Sequence, residues 1–492
     1  MKDALRAPLA VLLLLAAATR LPLLGLNEAE YTDGILQLIQ FEYPTGIWPP
    51  LYTALCWPFG QLVGPLWSGR LVSALASILC VIPLYQLAKR HFGPEAALWA
   101  GALYILAPAA IRWAPRVMTE ATFSLFFWWS IERMDAALRA PDRAAASHAF
   151  AGAALLGALS FLTRHQGVLL TPLLGGLAIA LWRRGHLSFP AVAAFGAFAL
   201  NPLWTAFSGT IHGEQFADRA GGGWQQSLYV LVANAEPFLL LSPFYLTLPV
   251  AAVVLYGLLR RGLDEAPLLV AATAFIGVEI LALQGLFSAF QERYLLPWYG
   301  LLFLFGGAGM AEALAKLEAA RRPFAARVLA GLVVGASIIV SAVVLLGTRQ
   351  TFGDLRRGTD LAVELTGGGG RIFTNEFYRQ RGDSLIAATK VEFFARGREV
   401  RYLGPEFFDG REALRPGDVL VLSDRFFPES VMPELERRYL LEFAGAEEAA
   451  VLPYFTEIMK RPGVEQNPAA WIFRYEWQRF LTTVYVVRGA RR

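Results

Sequence analysis

A short acidic segment follows the first apolar run of the chain. Glu28, Glu30 and Asp33 are three carboxylates within six residues, and they come directly after the apolar residues 8–26. Carboxylates at the end of a membrane-spanning run must be hydrated, paired, bound to a metal or engaged in chemistry. A carboxylate engaged in chemistry can take the proton from a hydroxyl group as a general base. We therefore predict that residues 27–34 form an active-site loop.

Arginines recur near the ends of the later apolar runs, where an uncompensated charge costs about 3 kcal/mol or more. They are Arg112, Arg116, Arg164 and Arg293, with His165 next to the third and Glu120 close to the second. Each could pair with a carboxylate, reach the lipid headgroups, or bind a phosphate through bidentate hydrogen bonds. Four on one predicted face, beside an acidic loop, favour phosphate binding. Together with a carboxylate base, they predict transfer of a group from a membrane-anchored phosphate donor, with the arginines stabilising the leaving phosphate.

The rest of the chain must hold these residues at a membrane surface. Of its 492 residues, 55% are hydrophobic and 17% are charged, whereas about a quarter are charged in soluble proteins. The apolar residues come in long runs, which is typical of a polytopic α-helical membrane protein. We predict about eleven transmembrane helices, near residues 8–26, 67–88, 95–111, 117–132, 149–163, 167–182, 189–207, 237–259, 267–286, 294–312 and 325–347.

The connecting loops predict the orientation of these helices. Alternate loops are basic, namely residues 89–91, 132–148, 183–184, 260–261 and 311–327. Because cytoplasmic loops carry an excess of lysine and arginine, we expect a cytoplasmic N-terminus. The first outer loop, residues 27–66, and everything after about residue 348 would then lie on the extracytoplasmic face of the inner (plasma) membrane.

The sequence gives no support to a nucleic-acid-binding surface or to a functional pair of cysteines. The net charge is +4, but the basic residues are scattered over the loops and form no nucleic-acid-binding patch. Cys56 and Cys80 lie in or near apolar runs, so we expect two core residues and neither a disulfide nor a metal pair.

The composition changes after residue 348, where charged residues become frequent. Strands are predicted at residues 371–375, 399–403, 418–423 and 482–487, with helices at residues 384–396 and 430–443. This alternation indicates a small α/β domain over residues 349–492, after a transmembrane domain over residues 1–348. Acceptor recognition, a lid and a stabilising cap are all compatible with that domain.

Six short motifs occur in order over roughly residues 1–300, and in them the sequence resembles the GT-C glycosyltransferases that use polyprenyl- or dolichyl-phosphate sugars. The branch it resembles includes protein O-mannosyltransferases and the lipid A aminoarabinose transferase. Each motif alone is weak, and the ordered set is a strong signal. The motifs are Asn27-Glu28-Ala29-Glu30-Tyr31, Trp48-Pro49-Pro50-Leu51-Tyr52, Gly69-Arg70-Leu71-Val72-Ser73-Ala74, Met118-Thr119-Glu120, Leu162-Thr163-Arg164 and Arg293-Tyr294-Leu295-Leu296-Pro297.

The resemblance implies a GT-C fold, a polyprenyl-phosphate sugar as donor, inversion at the sugar, and an acceptor on the outer face. The acceptor class stays open between a lipid, a protein and another envelope glycan. The family's first-loop Asp, its usual candidate base, appears here as Asn27, and an amide cannot accept the proton. We expect Glu28 to be the leading base, with Glu30 and Asp33 as alternatives.

The resemblance also implies roles for other polar residues. Glu120 would orient the acceptor or hold a divalent metal, which some members of the superfamily use and the mannosyltransferase branch mostly does not. The substrate-lining residues would be Asn27, Tyr31, Tyr52 and Tyr294.

Two other functions remain open at the level of the sequence. A flippase or transporter for the same lipids would use the arginines as a phosphate path without chemistry. Transporters of this kind usually show internal repeats and polar groups at mid-membrane, whereas the polar residues here gather at one predicted surface. A non-catalytic glycan-assembly subunit is the other alternative, and Asn27 favours it.

Overall fold

The protein is described here by a computed structural model of the whole chain. The structure describes residues 6–42, 48–207, 246–287, 292–367, 369–381, 384–395, 397–404, 407–408, 413–426, 428–452 and 477–491. These residues divide into two compact units. The first holds residues 6–24 and the described residues between 40 and 345, and the second holds residues 25–39 and the described residues from 346 onward.

The first unit is helical. A 3₁₀ turn, Leu21–Gly25, follows its first helix, and further 3₁₀ turns are His165–Leu170 and Glu292–Leu295. A π-helical turn, Leu258–Gly262, and a short turn of helix, Leu263–Glu265, lie between two of its later helices. Its helices are α1 (Arg6–Arg20), α3 (Leu51–Val63), α4 (Pro65–Leu79), α5 (Val81–Phe92), α6 (Pro94–Leu106), α7 (Pro108–Trp113), α8 (Glu120–Leu138), α9 (Arg143–Thr163), α10 (Thr171–Arg183), α11 (Phe189–Phe207), α12 (Leu248–Gly257), α13 (Pro267–Phe287), α14 (Leu296–Ala319) and α15 (Pro323–Thr348). Helix α2 (Thr32–Ile39) belongs to the second unit.

Several of these helices are long and apolar enough to cross a bilayer. Within the described residues there are six such segments, Pro8–Gly25, Pro65–Phe92, Arg143–Thr163, His165–Arg183, Arg293–Ala319 and Pro323–Leu365. The prediction of a mostly helical protein with apolar spans is therefore confirmed. The count of eleven stays a prediction, and the first part of the predicted span 237–259 lies outside the described residues.

Helix α14 lies at the centre of the first unit because its glycines admit neighbouring backbones. A Cβ on Gly307 would meet the carbonyl of Ala96 on α6, and one on Gly309 would meet the carbonyl of Val253 on α12. Small residues at helix interfaces allow this close approach, which drives helix association where lipid surrounds the protein.

A charged network joins α5 to α8. Arg90 donates to Glu132 and to Asp135, each at 2.5 Å, and His91 Nε2 lies 3.0 Å from Asp135 Oδ1. Burial would raise the pKa of the Asp135 carboxyl, but the hydrogen bonds from His91 and Arg90 outweigh it and hold that pKa below its usual range.

The second unit is an α/β domain. Its five-stranded sheet has the order β4 (Val400–Tyr402), β1 (Ile372–Thr374), β5 (Val419–Ser423), β7 (Gln478–Ala490) and β6 (Tyr439–Val451). The pairs β1–β4 and β1–β5 are parallel, whereas β5–β7 and β6–β7 are antiparallel. A separate antiparallel pair consists of β2 (Phe377–Arg381) and β3 (Ser384–Ala387).

Helices cover both faces of the sheet because successive strand residues point to opposite sides. Val419 and Val421 pack in one cluster with Leu355 of α16 (Gly353–Leu365), and Val391 of α17 (Thr389–Phe394) joins them. On the other face, Leu420 and Leu422 pack with Leu435 of α18 (Pro428–Arg438).

Residues 25–39 belong to this second unit by their contacts. They contain α2 (Thr32–Ile39). The prediction from the sequence instead places residues 27–39 in the transmembrane domain, as part of the outer loop 27–66, because their contact partners are far away in the chain.

Two predicted helices in this domain are wrong in part. Residues 384–387, expected to start a helix, form strand β3, and only Thr389–Phe394 is helical. The helix expected over residues 430–443 ends at Arg438, where β6 begins. Pairing along most of the length of β7 outweighs the local helical pattern there.

Candidate functional site

Glu120 is the centre of a buried polar cluster in the first unit. It is the first residue of α8, and only 1% of its side chain is exposed. Its Oε1 accepts a hydrogen bond from Arg164 Nη1 at 2.5 Å and lies 3.5 Å from Arg293 Nε. Arg164 Nη1 also donates to Thr119 Oγ1 at 3.1 Å. The carboxylate therefore holds two guanidinium groups at the positive end of a helix.

Aromatic rings complete this cluster. The Arg164 Cζ lies 4.7 Å from the centre of the Tyr294 ring, and Arg293 Cζ lies 5.4 Å from the same ring. Arg293 Cζ is also 5.9 Å from the Trp113 ring, on which Arg112 Cζ lies at 4.5 Å. We call these residues the Glu120 cluster: Glu120, Arg112, Trp113, Arg164, Arg293 and Tyr294.

The end of α9 sets the position of Arg164. The α9 helix ends there because the backbone of Arg164 is extended, while its N–H still bonds the Ser160 carbonyl at 2.9 Å. The chain then turns tightly, and a Cβ on Gly167 would overlap the backbone of Phe161. Ser130 Oγ donates to the Ala153 carbonyl at 2.8 Å and joins α8 to α9, which keeps Arg164 beside Glu120.

The start of α14 sets the position of Arg293 and Tyr294, which immediately precede it. Trp128 of α8 donates from Nε1 to the Pro297 carbonyl at 2.7 Å. Its indole lies against Gly300, where a Cβ would collide with the ring. This contact joins α8 to the beginning of α14.

Three other predicted site residues lie in the first unit. Arg116 is completely buried in the segment between α7 and α8. His165 packs edge-on to Phe161, with 5.6 Å between the ring centres. Tyr52 is also completely buried, and its hydroxyl lies 2.9 Å from the Gly69 carbonyl and 2.9 Å from Ser73 Oγ. The Tyr52 hydroxyl is thus part of the α3–α4 packing.

The acids of the predicted active-site loop lie in the second unit. Glu28 forms an ion pair with Arg357 of α16, and a third of each side chain is exposed. Asn27 and Glu30 are buried, and Asp33 lies in the first turn of α2. Tyr31 packs edge-on to Phe352 at 6.1 Å between ring centres.

The basic partners of this loop are absent from the prediction. Arg357 follows Glu28 by 329 residues, and Lys390 follows Thr32 by 358 residues. Both partners lie in a domain to which the sequence assigned no chemistry, and no local spacing indicates such distant pairs.

The described acids do not fit a multidentate metal site. Within the part of the chain that the structure describes, no group of three or more His, Cys, Asp or Glu side chains could hold a metal ion. In this arrangement Glu120 holds arginines instead.

A cavity of about 340 Å³ lies elsewhere in the first unit. It lies between the end of α5 and the second half of α14 and is lined by Phe92, Glu95, Arg261 and Glu312, among others. It shares no residue with the Glu120 cluster.

Comparison with known proteins agrees with this architecture. A sequence model of the family described as dolichyl-phosphate-mannose-protein mannosyltransferase matches residues 48–205. No curated protein sequence matches the chain.

Solved structures match over almost the whole chain at low identity. The crystal structure of ArnT from Cupriavidus metallidurans bound to undecaprenyl phosphate is 15% identical, with a TM-score of 0.60, and the match covers 91% of this chain and 97% of ArnT. The archaeal oligosaccharyltransferase AglB from Archaeoglobus fulgidus, in complex with an inhibitory peptide and a dolichol-phosphate, is 13% identical, with a TM-score of 0.57. That match covers 90% of this chain and 73% of AglB.

These matches confirm the resemblance that the six motifs indicated. The family matched in sequence and the proteins matched in structure are glycosyltransferases. The chain therefore has the fold of the GT-C glycosyltransferases, and its residues 48–205 match the family described as dolichyl-phosphate-mannose-protein mannosyltransferase.

Proposed function

We propose that the protein transfers a sugar from a polyprenyl-phosphate donor to an acceptor hydroxyl on the extracytoplasmic face of the plasma membrane. The acceptor is an envelope component, either a lipid, a protein or a glycan. About eleven transmembrane helices carry the site, the N-terminus is cytoplasmic, and the C-terminal domain is extracytoplasmic. The lipid phosphates in the ArnT and AglB structures support the donor class.

The Glu120 cluster is the observation that carries this proposal. Arg164 and Arg293, from two separate parts of the chain, meet at the Glu120 carboxylate. Arg112 comes from a third part and lies on the Trp113 ring, which Arg293 also approaches. Planar guanidinium groups bind phosphate oxygens in pairs and stack on aromatic faces, which makes arginine the residue best suited to this task. In the proposed reaction, these arginines bind the donor phosphate and stabilise the charge that it gains on leaving.

The reaction needs a base for the acceptor. Glu28 takes the proton from the acceptor hydroxyl, and the oxygen attacks the anomeric carbon of the sugar. The bond between that carbon and the phosphate oxygen breaks on the opposite side, so the configuration inverts. The polyprenyl phosphate leaves with the bonding electron pair, and Glu120 keeps the arginines in place.

A carboxylate-to-amide series tests the two acid roles. Glu28→Gln removes the base, and we expect transfer to fall by about 100-fold or more, the usual contribution of a positioned general base. Glu120→Gln should weaken donor binding together with turnover. Glu442→Gln is the matched control, because Glu442 is an exposed residue on β6.

The readout is transfer by purified protein in lipid bilayers, with synthetic polyprenyl-phosphate sugars as donors. Wild-type turnover by folded Glu28→Gln protein would contradict the assignment of the base. Donor binding without transfer, in wild type and variants alike, would favour a flippase or a non-catalytic subunit instead.

A further inference from the structure

The loop that carries Glu28 is packed against the C-terminal domain. Ala29 and Ile35 are completely buried in a small apolar cluster with Phe394 of α17, and Phe352 and Phe393 pack against it. Burial of apolar surface is the main stabilising contribution to such docking. The first loop and the C-terminal domain therefore form one compact unit, although more than 300 residues separate them in sequence.

Glu28 is held at three points within that unit. Its carboxylate forms the ion pair with Arg357, and its carbonyl accepts a hydrogen bond from the guanidinium of Arg356. Its backbone N–H donates to the Arg349 carbonyl at 3.0 Å. Backbone and side chain are thus both fixed by α16 and by the segment that leads into it.

Arg357 is itself fixed from the other side. Its Nε donates to Glu447 Oε2 at 2.9 Å, and its Nη2 donates to the Glu448 carbonyl at 2.5 Å. Both acceptors lie on β6, so the strand orients the guanidinium while Nη1 is directed at Glu28. Because the guanidinium of Arg357 is planar, the bonds that hold its Nε and Nη2 to acceptors on β6 also fix the direction of its Nη1.

Gly353 supplies the space for the Glu28 carboxylate. A Cβ at position 353 would overlap Glu28 Oε2 and approach Arg357 Nη1 to 3.2 Å. Any larger residue at the start of α16 would displace the carboxylate from this position.

A second anchor holds the start of α2. Lys390 Nζ is almost completely buried, donates to Thr32 Oγ1 at 2.5 Å and to Glu376 Oε1 at 2.7 Å, and lies 4.2 Å from the centre of the Phe352 ring. Phe352 adopts a left-handed backbone conformation, with φ of 59°. Such strain persists only where the surroundings enforce it, and it is frequent at functional sites.

We propose that Arg357 is a positioning residue for Glu28, and that the C-terminal domain serves to hold the first loop in its reactive position. This inference rests on the proposed function, in which Glu28 is the base. It gives the C-terminal domain a task in the transfer reaction itself, through the line from β6 to Arg357 to Glu28.

Hydrogen–deuterium exchange tests the docking without any need for activity. The full-length protein in lipid nanodiscs is compared with Arg357→Gln and Gly353→Ala, and exchange is followed in peptides that cover residues 25–39. We expect exchange there to become about threefold faster or more, since partly exposed ion pairs contribute modestly. Gly489→Ala is the matched glycine control, because a Cβ at position 489 meets no atom within 4 Å.

Kinetics test the positioning role. Loss of alignment should lower kcat on the order of 100-fold in Arg357→Gln while KM for the donor changes less than about twofold. Arg357→Lys, which keeps the charge, should recover part of kcat, a rescue that a purely structural defect would not show. Arg401→Gln, at an exposed arginine on β4, is the control.

The outcomes separate the two proposals. If the wild type transfers sugar and Arg357→Gln shows wild-type kcat and wild-type exchange in residues 25–39, the positioning role is refuted. If the wild type transfers nothing from any donor, the proposed function fails, and the exchange data alone then decide whether Arg357 holds the loop.

Discussion

Arg164 links the geometry of the Glu120 cluster most directly to donor binding. Its guanidinium donates to Glu120 and to Thr119 and stacks on Tyr294. Arg164→Gln removes these contacts, but Glu120 keeps Arg293 at 3.5 Å. Because the carboxylate is not left alone, we expect a loss of about 1–2 kcal/mol in the free energy of unfolding instead of the 3–5 kcal/mol typical of a stranded buried charge.

The loss of activity should be larger than the loss of stability indicates. A hydrogen bond to a charged group contributes about 1.5–3 kcal/mol, and each 1.36 kcal/mol changes a rate tenfold. If one such bond to the donor phosphate is made only in the transition state, Arg164→Gln should lower kcat/KM by about 10- to 150-fold. Arg164→Lys should fall between wild type and Gln, because lysine keeps the charge and lacks the bidentate geometry.

The assay is steady-state transfer in proteoliposomes with the donor concentration varied. Arg183→Gln is the matched control, since Arg183 is exposed in the last turn of α10. A kcat/KM for Arg164→Gln within twofold of wild type, with the protein folded, would refute the assignment of this arginine to the donor phosphate.

Three further predictions concern stability, pH and the amide in the first loop. Glu376→Gln leaves the buried ammonium of Lys390 without its carboxylate and should cost about 3–5 kcal/mol, seen as a lower denaturation midpoint; an unchanged midpoint would contradict this. The pKa of Asp135 is lowered, so its contribution to stability is complete above the ordinary carboxyl pKa of about 3.9 and is lost as pH falls toward the lowered value. Asp135→Asn should therefore remove the decrease of the denaturation midpoint that this residue causes at acidic pH. An identical pH profile of the midpoint in wild type and variant would argue against this. Asn27→Asp introduces the acid that the resemblance to the GT-C family implies at this position and should raise kcat, whereas unchanged activity would favour Glu28 as the base or a non-catalytic protein.

Sequence reasoning located the chemical groups of the Glu120 cluster but not their pairing. Residue type and hydropathy predicted buried arginines near span ends, because a charge in an apolar run is rare and informative. Whether each arginine meets a carboxylate or a ligand depends on the packing of α8, α9 and α14. The contact of Trp128 with Gly300 joins α8 to α14, and its two partners are far apart in sequence.

Two helix starts carry local signals that the prediction from hydropathy did not use. Pro94 follows Gly93 at the start of α6, and Asp142 caps α9 by accepting from the Ala145 N–H at 2.8 Å. Long-range pairing was not accessible in the same way. Strand β6 has a helix-like pattern at its beginning, and only its pairing with β7 makes it a strand.

The docking of the first loop is the largest feature that sequence reasoning missed. The carboxylate of Glu28 was recognised, but α2 has its apolar partners in Phe352 and Phe394, more than 300 residues away. Nothing in the local sequence of either segment indicates the other.

The most direct test of the account follows both products of transfer. Purified protein in lipid bilayers is given a panel of polyprenyl-phosphate sugars labelled in the sugar, together with envelope acceptors. We predict that free polyprenyl phosphate appears in equal amount to the sugar incorporated into acceptor, and that both disappear in Glu28→Gln. Movement of the intact donor across the bilayer, without release of polyprenyl phosphate, would contradict the account.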